Sequence, residues 1–196
     1  MDCKEIIDKQ GNVLVSRSFA IKEIYQDKEL MSSAYYAHKL PQYEEEIANG
    51  ERKLVSFFEA RRQFFADCKK YNVKTVSAHN ASFDLRALKN TARLLTGSKC
   101  RYFFKYGTEI WDTLKMSRDV FRQLKGYEKF CRKNNYVTKN NQIRYTAEIL
   151  FRYISGNNNF IEKHKGIDDV QIESDILVYL LNTHKKMRKK LFSKKF

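Results

Sequence analysis

Two short stretches of this chain carry residues whose types and spacing suit chemistry. In the first, Asn80 and Asp84 stand four positions apart, within Ser77-Ala-His-Asn-Ala-Ser-Phe-Asp-Leu-Arg-Ala-Leu88. In the second, His164 stands five positions before Asp169, within His-Lys-Gly-Ile-Asp-Asp. Carboxylates are the ligands that hard cations such as Mg²⁺ and Mn²⁺ prefer. Two such ions roughly 3.5–4 Å apart activate a water and neutralise charge on a leaving oxygen. Histidine is the usual group to take the water's proton near neutral pH. The chemistry these residue types suit is therefore metal-assisted hydrolysis of a phosphate ester, with Asp84 and an acid of the Asp168-Asp169 pair as ligands and His164 as base. Each stretch also has a plainer reading. Asn80 and Asp84 make a fair helix N-cap with a first-turn acid, and a lone His164 reads as an exposed loop residue.

These residues need a strand-to-helix junction and a loop-to-helix junction to bring them together. Val73, Val76 and Ala78 read as a short apolar strand, and Leu85, Leu88, Ala92 and Leu95 recur at helical spacing after it. Val170, Ile172, Ile176 and Leu177 start a last long helix, expected to run from 170 to 190. Upstream, 5–24 reads as a β-hairpin turning at Asp8-Lys-Gln-Gly11. Residues 54–71 form an amphipathic helix with Leu54, Phe57, Phe58, Phe64, Phe65 and Cys68 on one stripe and Ser56 with Glu59 as a capping box. Residues 101–104 and 109–112 read as short strands or edges, and a helix from Trp111 reaches about Phe130. Residues 132–144 read as an exposed connection and 145–154 as a short helix. Pro41 breaks the pattern of 23–50, and Glu44-Glu45-Glu46 reads as a solvated acidic patch. Early strands followed by strand–helix alternation predict an α/β fold, a mixed sheet flanked by helices, over one domain spanning 1–196.

Composition narrows the partners. The chain has 196 residues, 42% apolar, with 38 Lys+Arg against 23 Asp+Glu, a formal charge of +15. A balance that basic favours a polyanion, nucleic acid above all. No apolar run approaches the ~18 residues of a membrane span, and no signal core opens the chain, so an intracellular, cytoplasmic setting is expected. Cys3, Cys68, Cys100 and Cys131 are scattered and lack zinc spacing, and are expected to be reduced thiols. The C-terminal 185–196, with seven basic residues, reads as a helix end suited to the macrodipole or to phosphate contacts. Tyr35, Tyr36, Tyr102, Phe103 and Phe104 are placed either to pack in the core or to stack on unpaired bases.

The motifs carry a resemblance. His79-Asn-Ala-Ser-Phe-Asp84 resembles the second motif of the DEDD-type 3′→5′ exonucleases, a ribonuclease-H-like family, and His164-Lys-Gly-Ile-Asp-Asp169 resembles the third motif of its histidine-bearing branch. Asp8-Lys-Gln-Gly-Asn-Val-Leu14, the 31–43 segment and Tyr145-Thr-Ala-Glu-Ile-Leu150 look similar to phage-encoded members, which would place the chain in a bacterial cytoplasm. The resemblance implies a ribonuclease-H-like sheet, a two-metal site of Mg²⁺ or Mn²⁺, and a single-stranded 3′ end as substrate. It also implies Asp84 and Asp169 as metal ligands, His164 as base and Asn80 as a substrate-positioning residue. It selects Asp169 over Asp168.

One motif is missing. The family's first motif, Asp-x-Glu on a first central strand, has no counterpart near this N-terminus, since Asp2 and Glu5 are three apart and would face opposite sides of a strand. The resemblance therefore implies a fold without its first central strand and a site without two of its four acids. Activity is expected to be very low or absent, with the isolated fold marginal unless residues 1–7 or a second chain fills the gap. Three functions stay open: a 3′→5′ exonuclease, a non-catalytic nucleic-acid-binding protein, and a fragment of a longer exonuclease. DNA versus RNA, oligomeric state and any partner chain, such as a polymerase, are not legible in the residues.

Overall fold

The computed structural model describes residues 3–33, 37–98, 102–162 and 166–190. Tyr35, Tyr36, His164 and the basic 191–196 lie outside the described residues. The expected hairpin forms from β1 (Cys3–Ile7) and β2 (Val13–Ile21), antiparallel, with Cys3 opposite Ser18 and Ile6 opposite Val15. Asp8 builds its turn. One carboxylate oxygen accepts the Gln10 and Asn12 backbone N–H groups at 2.8 and 2.9 Å, and the other accepts the Asn12 side-chain amide at 2.8 Å.

After β2 come α1 (Lys22–Tyr25), α2 (Lys28–Ser33) and α3 (Leu40–Ala48). Pro41 sits in the first turn of α3, where a proline's missing N–H is no loss. The reading of Glu44–Glu46 as a solvated patch is corrected at Glu46. It is buried and binds the buried Arg52 at 2.8 Å and Gln42 at 2.6 Å. Arg52 opens the way to β3 (Lys53–Val55), which pairs parallel with β2. Ser56 then caps α4 (Phe57–Lys70), its hydroxyl accepting the Glu59 N–H at 3.1 Å, as the capping pattern predicts.

β4 (Thr75–Ala78) leads into α5 (Ala81–Thr96). β5 (Glu109–Asp112) pairs parallel with β4, Thr75 opposite Glu109 and Ala78 opposite Asp112. The fold is thus mixed α/β, but its strands form two sheets, β1-β2-β3 and β4-β5. Residues 102–108 form a loop instead of the strand expected near 101–104. The helix expected from Trp111 to Phe130 is two, α6 (Thr113–Phe121) and α7 (Lys125–Lys133), followed by α8 (Ala147–Ser155).

α9 (Gly166–Asn182) joins the halves. It lies so close to β1 that a Cβ on Gly166 would meet Cys3 Sγ at 2.5 Å, and one on Gly11, at the hairpin turn, would meet Val178 at 2.9 Å. On another side it packs in a core of Met116, Phe121, Tyr127, Leu150, Ile176 and Leu180 from α6 to α9. A second core, of Phe57, Phe64, Leu88, Ala92 and Phe103, lies between α4, α5 and the 102–108 loop. Phe58, expected on the core stripe of α4, is exposed instead, its ring edge-on to Phe57.

The expectation of helix to Lys190 is also corrected. α9 stops at Asn182, His184 takes a positive φ of 52°, and the chain turns back to β5. There Lys190 bridges Trp111 antiparallel, and the Asp112 N–H donates to the Lys189 carbonyl at 2.9 Å. Arg188 binds Asp119 through its backbone and guanidinium N–H groups at 2.8–2.9 Å. Completing the edge of β5 and pairing these cations outweighs continuing a helix of charged residues into water. Among the described residues Cys3, Cys68 and Cys131 are free thiols, and no helix is long and apolar enough to cross a membrane.

Candidate functional site

The site is built at the C-terminal ends of β4 and β5. β4 ends at Ala78, and the turn that follows is held from three sides. The Asn80 N–H donates to Asp112 Oδ1 at 3.2 Å, and the same oxygen accepts the Leu114 N–H at 3.1 Å, capping α6. Asp112 is therefore the helix cap its place after a strand suggests. His79 is buried. Its Nε2 lies 2.9 Å from the Tyr145 carbonyl, which can only accept, so that nitrogen carries the proton and Nδ1 accepts from the Thr113 hydroxyl at 3.2 Å. Burial pushes its proton affinity below the usual histidine value, so the ring is a neutral structural strut rather than a base.

The third hold is the one with chemical interest. The His79 N–H donates to Glu173 Oε2 at 3.1 Å, tying the middle of α9 to the end of β4. Asn80, at the N-cap of α5, adopts a left-handed backbone (φ 68°, ψ 48°), a conformation asparagine tolerates better than most residues. Its side chain does not cap the helix, and Oδ1 accepts from the Ser82 hydroxyl at 3.1 Å instead. Asp84 follows on the first turn of α5 and is exposed. Asp169 lies on the first turn of α9, half-buried.

Asp84 and Asp169 meet electrostatically at Glu173. Its carboxyl is pushed up to about 8, by burial first, with the charges of Asp84, Asp169 and Glu162 adding to the rise against the His79 N–H, which opposes it. The structure thus draws Asp84 and Asp169 around one acid that the motif reading passed over. A signal for it was present: Asp169 and Glu173 are four apart on a helix, so both lie on one face. Glu5, Asp8 and the 44–46 run do not join the group. Asp8 serves the hairpin turn, Glu46 binds Arg52, and Glu5 lies on β1 near Asp175, both acids held above the usual range by burial.

Oxygen donors of this kind fit a hard divalent cation, and one bound there would relieve the repulsion that raises Glu173. By donor chemistry the residues fit Mg²⁺ or Mn²⁺. Among the described residues, however, no three acidic, histidine or cysteine side chains are grouped so that they could hold a metal ion. No family model, no curated protein and no solved structure matches the chain.

Proposed function

We propose that this chain is a nucleic-acid-binding protein of the 3′→5′ exonuclease type, with a ribonuclease-H-like fold and phosphodiester hydrolysis as its reaction. The observation that carries the reading is that Asp84 and Asp169, 85 positions apart in sequence, both act electrostatically on Glu173, which is bonded to the His79 N–H at the end of β4. A carboxyl raised by burial and by neighbouring acids at a strand-to-helix junction is the kind of perturbed group that functional sites concentrate.

In this reading Asp84, Asp169 and Glu173 would supply carboxylate oxygens to a cation, and His79 fixes Glu173 through its backbone N–H. Mg²⁺ or Mn²⁺ bound there supplies charge neutralisation on the phosphoryl oxygens and a more acidic water. Asn80 presents its amide beside Asp84 to orient the terminal nucleotide. His164, two positions before Gly166 in sequence and outside the described residues, is the residue to which the resemblance assigns the proton from the water. The strongly basic surface attracts the phosphate backbone.

The formal charge of +15, which needs no site to serve it, favours a second reading, a binding protein without catalysis. One experiment separates the two: incubation of a labelled single-stranded oligonucleotide with the purified chain in Mn²⁺, beside Asp84→Ala. Stepwise loss from the 3′ end by the unaltered chain alone supports the exonuclease. An intact oligonucleotide, retained by a chain that melts cooperatively, supports the binding protein.

A further inference from the structure

Residues 102–108 lie at the opposite end of the β4–β5 pair from the carboxylates, because they lead into the start of β5 while the site lies beyond its last residue. Four strand residues separate the two ends by about 10 Å. This loop is unusual in its tyrosines. Tyr102 is 57% exposed and Tyr106 is 91% exposed, and among the described residues every other tyrosine is half-buried or buried. Between them Phe103, 3% exposed, plugs the second core, with ring centroids 5.4 Å from Phe64 and 5.9 Å from Phe57.

The loop is therefore anchored from below. The Arg61 guanidinium donates to the Phe103 carbonyl at 2.7 Å, and the Thr108 N–H closes a turn onto the Lys105 carbonyl at 3.2 Å. Gly107, with φ of 82°, supplies the positive φ this turn requires. Tyr106 stands at its apex. Cations accompany the loop. Lys89 Nζ lies 5.4 Å from the centroid of Tyr102, and Lys105, which directly precedes Tyr106, is exposed and sets its Nζ 5.0 Å from the centroid of Phe65.

Exposed aromatic faces with interleaved cations on a pre-ordered loop match what an unpaired nucleic-acid strand needs: planes for its bases and charges for its phosphates. A duplex keeps its bases stacked on each other and has no face to offer. We propose that Tyr102 and Tyr106, with Lys89 and Lys105, form a stacking platform for single-stranded nucleic acid, separate from the carboxylate site. The inference rests on the nucleic-acid reading above and names a second contact for the same ligand. It requires no cleavage.

The test is fluorescence-anisotropy titration of labelled dT20 and U20 in EDTA, where hydrolysis cannot intervene, with the full chain, Tyr102→Ala, Tyr106→Ala, Tyr106→Trp, Lys89→Ala and Lys105→Ala. Each Tyr→Ala change should weaken binding roughly tenfold, within the range stacking on one base contributes. Tyr106→Trp should retain affinity. The lysine variants should each lower the salt slope by about 1, which the tyrosine variants should leave unchanged. Tyrosine variants that bind as tightly as the unaltered chain, or that lose as much affinity for a blunt duplex as for dT20, overturn the platform while the carboxylate reading stands. An unaltered chain that binds no oligonucleotide overturns both.

Discussion

Two clusters of charged side chains in this molecule each centre on a carboxylate, to opposite effect. Around Asp67 on α4, a buried carboxylate accepts from Lys4 Nζ at 2.7 Å, from Arg17 Nε and Nη2 at 2.6 and 3.0 Å, and from Gln63 at 2.9 Å. Arg17 first, and Lys4 and Gln63 after it, hold Asp67 well below the usual carboxylate range against burial. Around Glu173, burial and three further carboxylates drive the proton affinity up to about 8. In the first cluster the basic and amide donors outweigh burial and hold the carboxylate charged. In the second, burial first and the neighbouring acids after it work against the charged form. The same kind of group is thus held at opposite ends of its range by what surrounds it.

The largest expected effect comes from breaking the Asp67 cluster. Asp67→Ala leaves Lys4 buried without its acceptor and Arg17 without its bidentate partner. Breaking a buried pair by removing one side costs about 3–5 kcal/mol, a large share of a typical total of about 5–15 kcal/mol. Urea denaturation should show the midpoint falling accordingly. A loss under 1 kcal/mol would show that the cluster is less buried than its geometry indicates.

The opposite sign is expected at the other cluster. Glu173→Gln removes an acid that the fold keeps protonated at a cost and keeps an acceptor for the His79 N–H. The variant should melt higher than the unaltered chain at pH 8 without divalent ions. Mn²⁺ should then raise the melting temperature of the unaltered chain, by the equivalent of ~1.4 kcal/mol at ten times its Kd, and should not raise that of Glu173→Gln. Equal Mn²⁺ shifts in both would remove Glu173 from the metal site.

The two clusters also predict a pH profile with two limbs. Glu173 binds its proton more tightly folded, about 8, than unfolded, about 4.3, so the folded state holds more protons between these values and stability falls as pH rises across them. Glu5 and Asp175, also raised, act in the same direction. Asp67 is depressed. Its contribution is fully present above an unfolded value of about 3.9 and is lost as pH falls toward its lower folded value. Stability should therefore be greatest near pH 5. Glu173→Gln should flatten the limb from pH 5 to 8, and Asp67→Ala the limb below 4. A profile rising steadily from pH 5 to 8 would contradict the repulsion at Glu173.

What was legible in the sequence follows the range over which each feature is determined. The hairpin, the Ser56 cap, the strand-to-helix junction at Asn80 and the cap at Asp112 depend on neighbours a few residues away, and the pattern of those neighbours stands in the sequence. The split into two sheets was not legible, because strand pairing is settled by distant segments, here α9 lying against β1. Glu46 read as solvated because its partner Arg52 becomes visible only once α3 turns back toward β3. Glu173 was hidden for a different reason. Its spacing from Asp169 was plain, but its burial against the end of β4, which gives it its chemistry, is a tertiary fact. The end of α9 at Asn182 was missed because the pull of β5's open edge on Lys190 is invisible to helical periodicity.

The smallest expected effect isolates burial as the cause of the contrast. Arg188 and Asp119 form a pair as good in geometry as that at Asp67, with bonds of 2.8–2.9 Å from Nη2, Nε and the backbone N–H. Yet the Arg188 side chain is 69% exposed. Water screens the pair and hydrates either partner left alone, so Arg188→Ala should shift the urea midpoint far less than Asp67→Ala does. The backbone N–H to Asp119 and the bridge to Trp111 survive the change, which holds the chain's return to β5 in place. If Arg188→Ala instead destabilised as much as Asp67→Ala, pairing geometry rather than burial would set the energy of both. The strain at Glu173 would then have to be attributed to its neighbours' charges and not to its place in the core.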